Sequence, residues 1–351
     1  MIETEKRRVD GHLAEPASEQ GFGPAPAPGT PRYPEVTGYD LMRNDQSTPL
    51  AVETDEQLRA LQRSREIKQL PRPDSPRVMV VANQKGGVGK TTSAVNIAAA
   101  LAQHGLRILV IDLDPQGNAS TALGVDHTEG TPGTYDALVD ARRLSELIQP
   151  CPEVEGLVVV PATIDLAGAE IELVSLVARE SRLRRSINEY LDEVQDTDDQ
   201  VDYILIDCPP SLGLLTVNAL VAGRELLIPI QCEYYALEGL GQLLRNVELI
   251  QSHLNPELDI STVMLTMHDA RTRLSAGVAE EVRNHFGDKV LHTAVPRSVR
   301  ISEAPSYQQT VMTYDPTSPG ALSYLEAARE LANRHAESQS TAATTQNEEG
   351  M

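Results

Sequence analysis

The sequence predicts an α/β fold with a mostly parallel central sheet flanked by helices on both faces. Three observations carry that expectation. The apolar runs VMVVA, ILVID and YILID read as strands buried on both faces. Strand-like and helix-like patterns then alternate from residue 77 to 336, as they do in parallel sheets. Finally, the glycine-rich stretch QKGGVGKTT at 84–92 lies between a strand and the helical run SAVNIAAALAQ, where an anion is held by backbone N–H groups. Aromatic residues make up only 3% of the 351 residues and Trp is absent, so the core must be built from Val, Ile, Leu and Ala.

Taken in order, strands are expected at 78–83, 108–113, 157–161, 203–207, 225–230, 261–267 and 290–295. Helices are expected at 91–103, 134–148, 166–194, 212–222, 236–253, 274–286 and 320–335, with Gly105 closing the first. The acidic run at 192–202 reads as a solvated loop. Residues 1–76 form an extension to this domain of 77–336. Their Pro- and Gly-rich part at 16–34 has little to bury and is expected to be disordered. Leu58, Leu61, Ile67 and Leu70 mark a short amphipathic helix at 55–70, or a docking peptide that folds on contact. A polar, mobile tail is expected over 337–351.

The site is legible in three segments. In the first, Gly86, Gly87, Val88 and Gly89 wrap an anion. Lys90 reaches the outer phosphates, Thr91 offers a hydroxyl to Mg²⁺, and Thr92 opens the helix. The usual first glycine of such loops is Gln84 here, and a second lysine, Lys85, follows it. The second segment, ILVIDLDPQGN, ends a strand in Asp112 and Asp114; the third, YILIDCPPS, ends one in Asp207. Ligands of open parallel sheets gather at these carboxyl ends. Asp207 fits a Mg²⁺-associated carboxylate acting through water, Asp112 a neighbour of the metal shell, and Asp114 the group that polarises attacking water. The competing role for each aspartate is a helix cap or turn former.

Cys151, Cys208 and Cys232 have no C-x-x-C spacing and read as reduced thiols rather than a metal or disulfide set. No apolar run approaches the roughly 18 residues of a membrane span. The charged N-terminus is not a secretory signal.

KGGVGKTT, DLDPQGN, DCPPS, PIQCEYYALEGL at 229–240 and PRSVRISEAPS at 296–306 occur in that order, and the chain resembles a ParA/Soj-type chromosome-partitioning ATPase over residues 77–336. Such proteins are P-loop NTPase-like, of the deviant Walker A group. The resemblance implies ATP and Mg²⁺ as ligands, and an ATP-sandwich homodimer in which Lys85 reaches the partner's phosphates. It implies that Lys85, Lys90 and Asp114 carry catalysis, and that the segment starting at Pro296 lines an adenine pocket. It also implies nonspecific binding of double-stranded DNA on the nucleoid, with slow hydrolysis stimulated by a ParB-type protein. A helix-turn-helix domain is missing from the extension, which favours a chromosomal target; a polar or scaffold protein is a fair partner for that segment. Tyr234 and Tyr235 face either the nucleotide and dimer seam or ordinary packing.

Charge balance opposes DNA at first sight, with 30 basic against 51 acidic residues and a net charge of −21. A local basic face is therefore required. Residues 271–300 hold Arg271, Arg273, Arg283, Lys289, Arg297 and Arg300 against only Glu280, Glu281 and Asp288. Arg297 and Arg300 are the foremost candidates. Arg271 and Arg273 have a second role open at the nucleotide or dimer interface, and a solvated helix face competes for each arginine. Two rival functions remain. A MinD-like membrane ATPase needs a basic amphipathic C-terminal helix, which the closing NEEGM contradicts. A nucleotide-switched regulator that binds only proteins survives if the basic face is inert.

Overall fold

A computed structural model describes residues 69–234 and 240–349, with side chains as far as residue 334. The expected disorder of the extension, its helix at 55–70 and Tyr235 lie outside the described residues, apart from Gln69 and Leu70.

Eight strands form one sheet in the order β3-β4-β2-β5-β1-β6-β7-β8. They are β1 (Arg77–Val81), β2 (Ile108–Asp112), β3 (Gln149–Pro150), β4 (Leu157–Val160), β5 (Tyr203–Asp207), β6 (Glu225–Gln231), β7 (Asp259–His268) and β8 (Val290–Pro296). Every pairing is parallel except that of the short β3, which the sequence did not reveal. All five residues of β1, β2 and β5 are buried, as apolar runs covered on both faces require. Alternate residues feed two cores. Val78, Val80, Leu109 and Ile111 face one core, while Met79, Val81, Ile108 and Val110 face the other.

The first core is closed by α3 (Leu166–Leu173), α4 (Arg182–Val194), α5 (Leu214–Ala222), α6 (Leu240–His253) and α7 (Arg273–Phe286). The second is closed by α1 (Lys90–Gln103), α2 (Asn118–Ala122), α9 (Val311–Tyr314) and α10 (Pro319–Glu349). The short α8 (Val299–Glu303) lies between β8 and α9. Helix α1 is buried nearly all round, and its run of alanines lets it lie close on the sheet. Gly105, at φ 87°, follows its end and donates to Ala102 O at 3.0 Å, as expected. At the far end of β1, Arg77 donates to both carboxylate oxygens of Glu225 (2.7 and 2.6 Å) and to Leu331 O, tying α10 to the sheet.

Three expected helices differ. The 166–194 pattern splits into α3 and α4, because buried Asn218 of α5 donates to Arg179 O and accepts from Leu183 N–H. Ala178 turns through φ 54° in the gap. The 134–148 pattern gives only a π-type turn at Asp136–Asp140 and a 3₁₀ turn at Leu144–Glu146. There Arg182 takes the carbonyls of Leu138 and Val139, and Ala141 leaves the helix at φ 56°. Helix α10 continues to Glu349 rather than stopping near residue 335.

Candidate nucleotide site

Strand β1 runs out through Ala82 and Asn83 into the loop at 84–89, and α1 begins at Lys90. Strand order reverses about β1, which sits between β5 and β6. That switch point is where open parallel sheets take ligands. Gly87 and Gly89 adopt φ of 73° and 89°, which side-chain-bearing residues rarely reach. A Cβ placed on Gly86 or Gly87 would meet nothing within 4 Å, so this side of the loop faces open space.

Lys90 is buried, with Nζ 3.4 Å from Lys85 O. Burial lowers its pKa, and the nearby Asp207, Cys208 and Asp114 partly offset that. Thr91 and Thr92 are half-buried at the loop's exit. Lys85 itself is half-buried, and Val88 is turned into the core.

The three expected carboxylates converge on this loop, and their surroundings separate their roles. Asp207 is fully buried and neither of its oxygens accepts a hydrogen bond of ordinary geometry, although the Thr91 hydroxyl is close enough to act on it. Burial raises its pKa well above the carboxylate range and the neighbouring Asp112 adds to this; Thr91 and Lys90 pull it back. An orphaned buried carboxylate beside a lysine and a threonine fits a divalent cation with its water shell. Asp112 is engaged instead. Its oxygens accept from Ser120 N–H (2.8 Å), Ser120 Oγ (2.7 Å) and Asp114 N–H (3.1 Å). Burial nonetheless raises its pKa. These bonds tie Asp112 to Ser120 of α2 and to the turn carrying Asp114. Asp114 is itself 8% exposed and accepts from Gln116 N–H at 3.0 Å.

A cavity of about 270 Å³ adjoins the loop, lined by Thr91, Thr92, Asn96, Asn118, Ile301 and Pro305 among others. Asn96 braces it by accepting from Val311 N–H at 2.8 Å. The segment expected at the adenine contributes Ile301, Ala304 and Pro305. Pro296, named with that segment, ends β8 opposite His268 as expected and is not among the residues lining this cavity.

Four of the five expected arginines meet at one edge of the sheet. Arg297 N–H donates to His268 O, which sets the 269–273 and 297–300 turns side by side. Arg271, Arg273, Arg297 and Arg300 thus share the carboxyl edge of β7 and β8. Arg283 lies about 15 Å along α7 from Arg273. Three of the four edge arginines already hold carboxylates: Arg271 pairs with Asp269 (2.9 Å), Arg297 with Glu233 (2.8 Å), and Arg300 with Glu303 (3.1 Å) and Asp315 (3.3 Å).

Sequence reasoning missed Asn83, Ser120 and Thr266, whose side chains bond to the loop or its carboxylates. Only Asn83 carried a signal, as a polar residue closing an apolar run directly before the motif.

A glycine loop at the switch point of a parallel sheet, with an unpaired carboxylate at the neighbouring strand end, defines a P-loop NTPase-like nucleotide-binding protein. Comparison with known proteins narrows the class. A family model described as an AAA domain matches residues 76–260. The sporulation initiation inhibitor protein Soj of Bacillus subtilis is 52% identical over 256 residues, covering 73% of this chain and 98% of that protein. The chromosome partitioning protein ParA of Caulobacter vibrioides is 48% identical over 267 residues, covering 76% and 98%. A crystal structure of cobyrinic acid a,c-diamide synthase from Mycobacterium smegmatis, with bound ADP and magnesium, is 37% identical at a TM-score of 0.63, covering 75% of this chain and 96% of that one. The chain belongs to the Soj/ParA family.

Proposed function

We propose that this protein is an ATP-dependent DNA-segregation ATPase. It binds ATP with Mg²⁺ at 84–92, dimerises face to face, and holds double-stranded DNA without sequence preference until hydrolysis releases it. The observation that carries the reading is the unpaired Asp207 carboxylate beside Lys90, Thr91 and an open glycine loop. Relatives named for chromosome partitioning and a similar structure holding ADP and magnesium support it.

Each residue then has a task. Backbone N–H groups of Gly86–Gly89 and the start of α1 receive the phosphates. Lys90, stripped of solvent by burial, neutralises the outer ones. Mg²⁺ would be held by Thr91 and, through water, by Asp207, and would stabilise charge developing on the transferred phosphoryl group. Asp114, set by the Asp112–Ser120 anchor, orients the attacking water. Lys85 is left to reach a second subunit, so dimerisation depends on the γ-phosphate.

A dimer surface is supported by exposed apolar side chains around α3: Ile164, Val174, Ile171 (78% exposed) and Val177 (89% exposed). The four arginines on the β7–β8 edge supply DNA contacts, and a ParB-type protein speeds turnover. No helix among the described residues is long and apolar enough to cross a membrane. A polar or scaffold protein is proposed as partner of residues 1–76.

Fluorescence anisotropy of labelled duplex DNA with no nucleotide, ADP or ATP tests the reading at two salt concentrations. ATP-only, salt-sensitive binding is expected. Binding indifferent to nucleotide, or none, overturns the DNA-segregation function.

A further inference from the structure

We propose that Asn83 and Thr266, two buried side chains outside the glycine motif, are positioning residues that set the shape of the phosphate loop, and that Asn83 aims Lys85. The proposal rests on the nucleotide reading above and extends it to residues that touch no ligand.

Asn83 is 4% exposed and both ends of its amide are committed. Nδ2 donates to Pro229 O on β6 at 2.8 Å, and Oδ1 accepts from Lys85 N–H at 3.0 Å. The second bond is an Asx turn, a local fold that a side-chain amide imposes on the backbone two residues on. On its other side, the Lys85 carbonyl lies 3.4 Å from Lys90 Nζ. The backbone of Lys85 is therefore held from both ends.

Thr266 approaches from β7. Its hydroxyl donates to Val88 O at 2.8 Å, and its methyl lies 3.8 Å from where a Cβ on Gly89 would stand. In a planar trans peptide the C=O and the following N–H point in opposite directions. Drawing the Val88 carbonyl toward β7 therefore turns the Gly89 N–H away from it, toward the open face of the loop. Loop shape is thus referred to the carboxyl ends of two neighbouring strands, β6 and β7, rather than left to glycines that could adopt many conformations. A third contact, Gln84 Nε2 to Gln242 Oε1 at 2.8 Å, joins the loop to α6.

The full chain carrying Thr266→Val, Thr266→Ser or Asn83→Ala provides the test. ATP affinity by calorimetry, kcat and KM are read beside the melting temperature without nucleotide. Val keeps the shape of Thr but removes the bond, so Thr266→Val is expected to weaken ATP binding about five- to tenfold. Thr266→Ser, which keeps the hydroxyl, is expected to restore it. Asn83→Ala is expected to lower kcat about tenfold with a smaller change in KM, the same split that is expected of Lys85→Ala. Equal ATP affinity in the Val variant and the wild type, or a Ser variant as weak as the Val one, overturns the role of Thr266. Unchanged kcat in Asn83→Ala overturns that of Asn83. If Asn83→Ala does not fold, the Val and Ser pair still decides whether the loop is set from outside. A wild-type chain that binds no nucleotide overturns the nucleotide reading itself and this proposal with it.

Discussion

Asp112 and Asp207 stand directly opposite each other in register at the carboxyl ends of β2 and β5, and both are fully buried. One accepts three hydrogen bonds from Ser120 and the Asp114 amide; the other accepts none of ordinary geometry. Two carboxylates placed this way raise each other's cost of ionisation, and the unpaired one bears more of it. A fold retains such a pair only where something compensates. Here the compensating charge is the bound cation proposed above.

Replacing Asp207 by Asn removes that strain. Its folded pKa is raised, so the folded state holds the proton more tightly than the unfolded one. The penalty is present above the folded pKa and fades as pH falls toward the ordinary carboxylate range. The nucleotide-free wild type should therefore gain stability from this group on mild acidification, and Asp207→Asn should lose that dependence. The variant should melt roughly 2–6 °C higher at neutral pH, from about 1–3 kcal/mol of relieved desolvation, and lose Mg²⁺-dependent affinity. Scanning calorimetry across pH checks both; a lower melting temperature for Asp207→Asn at neutral pH contradicts the unpaired-charge account.

Asp114 should separate binding from hydrolysis. Asp114→Ala is expected to bind ATP with affinity close to wild type, yet lose turnover by about a hundredfold or more and stay on DNA. Single-turnover kinetics with labelled ATP give the answer, and fast hydrolysis by this variant removes Asp114 from the water-orienting role.

Glu233 holds Arg297 in an exposed ion pair. Glu233→Gln should free that arginine and tighten DNA binding by a few-fold, since exposed pairs are worth about 0.2–1 kcal/mol. Arg297→Glu combined with Arg300→Glu should abolish DNA binding while ATP binding persists. Anisotropy titrations separate these results; unchanged DNA affinity in the double variant moves the DNA face elsewhere.

Asn218 is a structural test. Its amide caps the start of α4 and the end of the preceding turn. Asn218→Ala leaves a buried N–H and a carbonyl without partners and should cost about 2–4 kcal/mol. Urea denaturation measures it, and a loss under about 1 kcal/mol would show that the break between α3 and α4 is set by other contacts.

Those same residues mark where the sequence was readable. Strands β1, β2 and β5 announced themselves because burial on both faces leaves only apolar residues, and the glycine loop because few side chains fit its backbone. The break at Ala178 was hidden because its cause, Asn218, lies far along the chain and has no periodicity. The 134–148 segment misled for the same reason, its carbonyls being taken by Arg182. Asp112 and Asp207 look alike in sequence, each closing an apolar strand. Only the placement of Ser120, which bonds to Asp112, sets their surroundings apart. The segment that starts at Pro296 was legible from the end of its strand, and the turn that follows carries Ile301 and Pro305 into the cavity lining.

The most direct test of the account is a calorimetric titration of ATP with Mg²⁺ into the full chain and into Lys90→Ala. Saturable binding of one nucleotide per subunit, lost in the variant and weakened when Mg²⁺ is chelated, is the expected result. Equal binding by both proteins, or none by either, contradicts a nucleotide site at 84–92.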